Sequence, residues 1–160
     1  MKYYLLDTNI IISSTLLDFV RGSELIRYVY TIDEVINETN DDSFEDTLKD
    51  IGLKILKTGY SQINKLNYIF SSGFNLQTLN SIINLYHNNG NADVILLAHI
   101  LVLEEKNQDE LFKNEYILVS EDSELKDLAK HLKIKALSRK DFENEVELNK
   151  ITKPSPPQSL

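Results

Sequence analysis

The ten residues Val94 to Leu103, VILLAHILVL, are apolar on every side except at His99. A helix of that kind has no solvent face. The run is too short to cross a bilayer, so the rest of the chain must wrap it in layers of secondary structure. With 160 residues, 42% of them hydrophobic, there is material for one sizeable core and most simply for a single domain. The expected division is a folded domain over 1–148 and a disordered Pro/Ser-rich tail over 149–160, ending TKPSPPQSL. The absence of cysteine excludes a disulfide framework, a thiolate nucleophile and a cysteine zinc site. With no secretion signal or membrane span, the expectation is a soluble, cytoplasmic protein without a membrane partner.

The segments that would wrap this helix alternate in character. Tyr3 to Leu6 is a short apolar run that reads as a strand covered on both faces, and it stops on Asp7-Thr8-Asn9. Ile10 to Ile12, Leu16, Leu17 and Val20 follow at helical spacing up to Arg21-Gly22, which predicts one helix. Ile26 to Ile32 predicts a second strand, and Thr31-Ile32-Asp33-Glu34 has the spacing of a capping box for the helix after it. Leu53 to Leu56 reads as a third strand. Tyr60 to Phe70 and Leu76 to Tyr86 read as a helical hairpin turned at Ser71-Ser72-Gly73, and His87 to Asn91 as a loop with Asn91 capping the apolar helix. Tyr116 to Val119 and Ile134 to Leu137 are further strands. The helix between them carries Leu125, Leu128, Ala129 and Leu132 on one face, and a short helix spans Arg139 to Val146. Alternating strands and helices predict an α/β fold in three layers, α/β/α, with a mostly parallel central sheet.

In such a sheet, acids just after strands gather at one edge, where open α/β sheets bind ligands. Asp7, Glu38, Asp93 and Asp122 all stand at strand-to-helix junctions or near helix starts. Three of them have an ordinary reading as well. Asp7 would cap the first helix, Asp93 would sit favourably in the first turn of its helix, and Glu38 would be one solvated acid among many. Against the last, Glu38 lies three residues after Val35 and shares its face, so packing of Val35 on the sheet draws Glu38 toward Asp7. Four neighbouring carboxylates repel unless cations lie between them. An all-oxygen set suits one or two Mg²⁺ or Mn²⁺ ions, which lower the pKa of water and stabilise a leaving oxygen in attack on a phosphodiester.

The motifs LLDTN, YTIDEVINE, NADVILLAHIL and ILVSEDSELKDLAKHLKI resemble those of PIN domains, a metal-dependent ribonuclease family, from Tyr3 to about Phe142. The resemblance implies metal ligation and catalysis by Asp7, Glu38, Asp93 and Asp122, with Thr8, Asn9 and Ser120 in support. It also implies endonucleolytic cleavage of RNA that leaves a 5′-phosphate and a 3′-hydroxyl. YTIDEVINETND with ADVILLAHILVLEE is most similar to the PIN endonuclease that trims the 3′ end of small-subunit ribosomal RNA. The toxin ribonucleases of VapC type share the first and last motifs but differ around the second acid. The ribosomal branch typically carries a cysteine zinc ribbon, and this chain has no cysteine. The expected partners are single-stranded RNA, pre-rRNA foremost, the pre-ribosomal small subunit, and a second copy of the chain as a homodimer.

Charge separates three further alternatives. The net charge of −8 argues against a general nucleic-acid-coating protein. Between Asp33 and Asp50 there are eight acids and one lysine, whereas Lys126 to Lys140 holds six basic residues against one Asp. Lys126, Lys130, Lys133, Lys135, Arg139 and Lys140 are therefore candidate phosphate contacts, or else the solvated side of an ordinary helix and strand. A PIN-like module that binds RNA or protein without turnover is the alternative from another class. A haloacid-dehalogenase-type phosphotransferase needs a second acid two residues after the first, where this chain has Asn9. Of the histidines, His99 reads as a core residue, His131 as part of the exposed basic face, and His87 as a loop residue able to approach a substrate.

Overall fold

The computed structural model describes residues 1–21, 23–39, 41, 43–75 and 91–151. Five strands form one sheet in the order β3-β2-β1-β4-β5, every neighbouring pair parallel: β1 Lys2–Leu6, β2 Val29–Ile32, β3 Lys54–Leu56, β4 Glu115–Val119 and β5 Lys135–Leu137. The eight described helices are α1 Thr8–Ile11, α2 Ser14–Val20, α3 Asp33–Glu38, α4 Phe44–Asp50, α5 Tyr60–Phe70, α6 Asn91–Lys106, α7 Ser123–His131 and α8 Arg139–Ile151. Short 3₁₀ turns at Glu24–Tyr28 and Asn107–Asp109 are the remaining elements among the described residues. The expected three-layer α/β architecture is present.

Right-handed crossovers explain the layering. The connections β1 to β2 and β2 to β3 move one way along the sheet, whereas β3 to β4 and β4 to β5 move the other way, so their helices are directed to opposite faces, with α3 nevertheless meeting α6 at the carboxyl edge of the sheet. On one face Phe142 of α8 meets Tyr4 edge-on at 4.8 Å, with Phe19 of α2 at 6.5 Å. On the other lies α6, packed against α5, β2 and β4. Its Leu96, Leu97, Ala98 and Ile100 are completely buried, as an all-apolar helix requires. No described helix is long and apolar enough to cross a membrane. At the end of α4, Gly52 takes φ +84°, and the amides of Gly52 and Leu53 close the helix on the carbonyls of Lys49 and Leu48.

Local chemistry moves several boundaries from their sequence-based positions. The first helix breaks in two, because Ser13 adopts an extended conformation (φ −78°, ψ 107°) and its hydroxyl pairs with that of Thr15. Small hydroxyl residues compete with helical hydrogen bonding in this way. Ile26 to Tyr28 belongs to a 3₁₀ turn, and the second strand starts at Val29, where pairing with Tyr4 begins. Thr31 does not cap α3: its hydroxyl donates to the carbonyl of Leu6 at 3.0 Å, leaving Ile32 in the capping position. Asn91 opens α6 as its first residue, and the last helix runs to Ile151, past the expected boundary at residue 148. The helix read over Leu76 to Tyr86 and the loop holding His87 lie outside the described residues, as does the tail from residue 152.

Candidate functional site

The crossovers diverge between β1 and β4, which opens a crevice at the carboxyl ends of those two strands. Asp7 leaves β1 at that point. Its amide donates to the Val119 carbonyl of β4 at 3.1 Å, so the backbone fixes it at the mouth of the crevice. One carboxylate oxygen accepts from the Thr8 amide at 2.5 Å and caps α1; the other accepts from the Ser120 hydroxyl at 2.6 Å. Asp7 is thus a helix cap and a crevice acid together, and only 2% of its surface is exposed.

The other acids arrive from three elements. Val35 is fully buried beneath α3, and Glu38, one turn on, accepts from the Thr8 hydroxyl at 2.6 Å and from the Ala92 amide at 3.4 Å. The expected turning of Glu38 toward Asp7 is therefore present. Asp93, in the first turn of α6, comes close enough to Asp7 for the two carboxyls to interact. Asp122 caps α7 through the amides of Glu124 and Leu125 at 2.7 and 2.9 Å, and its own amide donates to Ser120 at 3.0 Å.

Electrostatically the group acts as a unit. Burial, followed by the charges of Asp7 and Glu38, the bond to Asp7 and the charge of Asp122, pushes the Asp93 carboxyl up to about 8. Burial also raises Asp7, outweighing the bonds from Ser120, Thr8 and Asp93 that favour its charged form. Both carboxyls are thus raised, Asp93 by the charges of its neighbours as well as by burial, and the pair favours holding a proton between them. Among the described residues no lysine or arginine pairs with Asp7, Asp93 or Asp122. Nor is any group of three or more His, Asp or Glu side chains among them gathered tightly enough to enclose an ion as it stands. The donor set nonetheless fits Mg²⁺ or Mn²⁺ chemically. It is all oxygen, it sits where ligands bind in such sheets, and it carries an uncompensated repulsion that a cation in place of the shared proton would relieve.

The supporting residues have separate tasks. Thr8 orients Glu38, and Ser120 links Asp7 to the Asp122 backbone. Asn9 accepts from the Glu121 amide at 3.2 Å and ties the first helix to the β4–α7 turn.

The six candidate basic residues do not form one strip. Helices between parallel strands run back across the sheet, so the end of α7 and the start of β5 lie at the opposite edge from the acids. Lys130, Lys133 and Lys135 are there, and Lys135 is engaged by Glu145 at 3.2 Å and Glu115 at 3.5 Å. Lys126, Arg139 and Lys140 lie at the acid-bearing edge. The Arg139 guanidinium, however, is held by Ser13 at 2.6 Å, Thr15 at 2.5 Å and Glu143 at 2.7 Å. Lys126 and Lys140 remain as candidate phosphate contacts beside the acids.

His99 is buried and its Nε2 lies 3.0 Å from the Thr58 hydroxyl; burial, against the charge of Asp33, lowers its pKa to about 4, so the ring is neutral. His131 is exposed, with Nε2 2.9 Å from the Ser72 carbonyl. The polar cluster around Thr58, with Asp33, Glu34 and His99, was not anticipated from the sequence. Asp33-Glu34 after a strand was the only signal for it, and that pair reads equally as a helix start. Comparison with protein-family models finds no match, and comparison with curated proteins finds none either.

Proposed function

We propose that this chain is a metal-dependent endoribonuclease of PIN type. The observation that carries the reading is the meeting of Asp7, Glu38 and Asp93 at the β1–β4 crevice, brought from three separate elements into one interacting carboxylate group. A bound Mg²⁺ or Mn²⁺ would supply a water of lowered pKa and charge neutralisation at the leaving oxygen. Asp7, Glu38 and Asp93 would hold one ion, with Asp122 beside it. Ser120 and Thr8 orient the carboxylates of Asp7 and Glu38, and the group would draw closer around the ion on binding. Lys126 and Lys140 would steady the phosphate chain alongside.

The finer assignment is maturation of the 3′ end of small-subunit rRNA, supported by the YTIDEVINETND and ADVILLAHILVLEE motifs. The protein incubated with Mn²⁺ and a precursor spanning that boundary should make one cut at the mature end, leaving 5′-phosphate and 3′-hydroxyl termini. Cuts confined to tRNA or messenger RNA would select the toxin branch. RNA binding without any cut, in Mg²⁺ and in Mn²⁺, would select the non-catalytic module.

The division of basic residues is tested separately. Replacing Lys126 and Lys140 by Gln should flatten the salt dependence of single-stranded RNA binding by about 1.4 in log–log slope, roughly 0.7 for each phosphate no longer neutralised. The Lys130→Gln and Lys133→Gln pair should leave that slope unchanged.

A further inference from the structure

Three ionisable side chains converge on one atom of Thr58, in the connection between β3 and α5. Its hydroxyl oxygen lies 3.0 Å from Asp33 Oδ1, 2.5 Å from Glu34 Oε2 and 3.0 Å from His99 Nε2. Its amide donates to the same Asp33 oxygen at 3.1 Å. A hydroxyl has one proton to donate and two lone pairs, so three neighbours saturate it. It can donate to only one carboxylate, and the other acid must bring a proton of its own. Burial raises the pKa of Glu34, with the bond to Asp33 adding to it, while bonds from Glu34 and Thr58 overcome burial and hold Asp33 low, so the proton shared in this cluster favours Glu34 over Asp33.

The elements joined here are the ones that carry the catalytic candidates. Glu34 stands one helical turn before Glu38 on α3, and His99 follows Asp93 on α6. Helix α3 has six residues and no side-chain cap at its start, too short to hold its own setting. Its polar attachments include Thr58 at the first turn and Thr8 at the last. We propose that Thr58 is a positioning residue, which locks α3 against α6 so that Glu38 and Asp93 meet at Asp7. This rests on the nuclease reading for its catalytic consequence, but its structural part does not.

Thr58→Val keeps the shape of the side chain and removes the hydroxyl. Mn²⁺ affinity, titrated with the metal alone, should fall on the order of tenfold, the usual cost of losing support behind a ligand. The kcat on single-stranded RNA should fall by a similar factor with KM within about twofold, and amide exchange in α3 should accelerate about tenfold. Thr58→Ser should restore all three. Val146→Ala, in the core beneath α8, should lower stability yet leave Mn²⁺ affinity and α3 exchange as in the wild type. If Thr58→Val fails to fold, Glu34→Gln added to it gives Asp33 an amide donor and permits the same measurements. Unchanged α3 exchange and unchanged Mn²⁺ affinity in the Val variant overturn the proposal. A wild-type protein that neither binds Mn²⁺ nor cuts RNA removes the nuclease reading, while faster α3 exchange in the Val variant still upholds the lock.

Discussion

Asp7→Asn and Asp93→Asn should each reduce cleavage of single-stranded RNA in Mn²⁺ by at least about a thousandfold, equivalent to roughly 4 kcal/mol of transition-state stabilisation. The fold should survive both changes. At position 93 the amide of Asn is a neutral donor, like the protonated acid it replaces, and it can serve Asp7 in the same way. That variant should be at least as stable as the wild type in metal-free buffer. At position 7 the new amide group faces the Ser120 hydroxyl, which must then accept instead of donate while still receiving the Asp122 amide. A cost of about 1 kcal/mol is expected there. Rate measurements paired with thermal unfolding separate the two effects. Full activity in both variants would leave the carboxylate group without a catalytic role.

Between about pH 6.5 and 8 the metal-free protein should lose about 1.5 kcal/mol of stability, and saturating Mn²⁺ should remove most of that loss. The folded chain keeps the Asp93 proton up to about pH 8, whereas an unfolded aspartate releases it near its ordinary value of 3.8. The native state therefore binds more protons than the unfolded state throughout this interval. Stability from that proton is complete below pH 3.8 and is lost as pH climbs through 8. His99 acts with the opposite sign in a lower window. The unfolded imidazole takes a proton below its ordinary value of 6.5 and the buried ring resists it down to about 4, so acidification through that range weakens the fold. Above 6.5 the His99 contribution is small, about 0.4 kcal/mol and opposite in sign, so the fall belongs mainly to Asp93. Chemical denaturation of the wild type and Asp93→Asn at the two pH values decides the matter: an undiminished fall in the variant would assign the effect to other groups.

The residues that were legible in the sequence share one property: their positions follow from the topology alone. Once strands and helices alternate, every strand-to-helix junction faces the same edge, so Asp7, Asp93 and Asp122 come to that edge whatever the details of packing. Glu38 required one further fact, its spacing from the buried Val35. The features that were missed depend on contacts with no periodicity. Ser13 breaks a helix through a hydroxyl pair two residues apart, and Thr58 is an isolated threonine beyond a three-residue strand whose partners lie 24 to 41 positions away. The placing of the basic residues was illegible for a related reason. Lys130 and Lys140 are close in sequence, but β5 and its turn carry the chain from one edge of the sheet to the other between them. Proximity along the chain says nothing about which edge a charge occupies.

The central strand precedes both of its neighbours in order of synthesis. β1 pairs with β4 in a register that sets Lys2 opposite Glu115, and the bond from Ser120 to Asp7 spans 113 positions. As the polypeptide emerges, the opening strand can pair with β2 but must wait, with its other edge unpaired, until β4 arrives to flank it. A nascent fragment ending before α6 cannot bring Asp93 to Asp7. On the nuclease reading, RNA around a growing chain is thereby spared premature cutting.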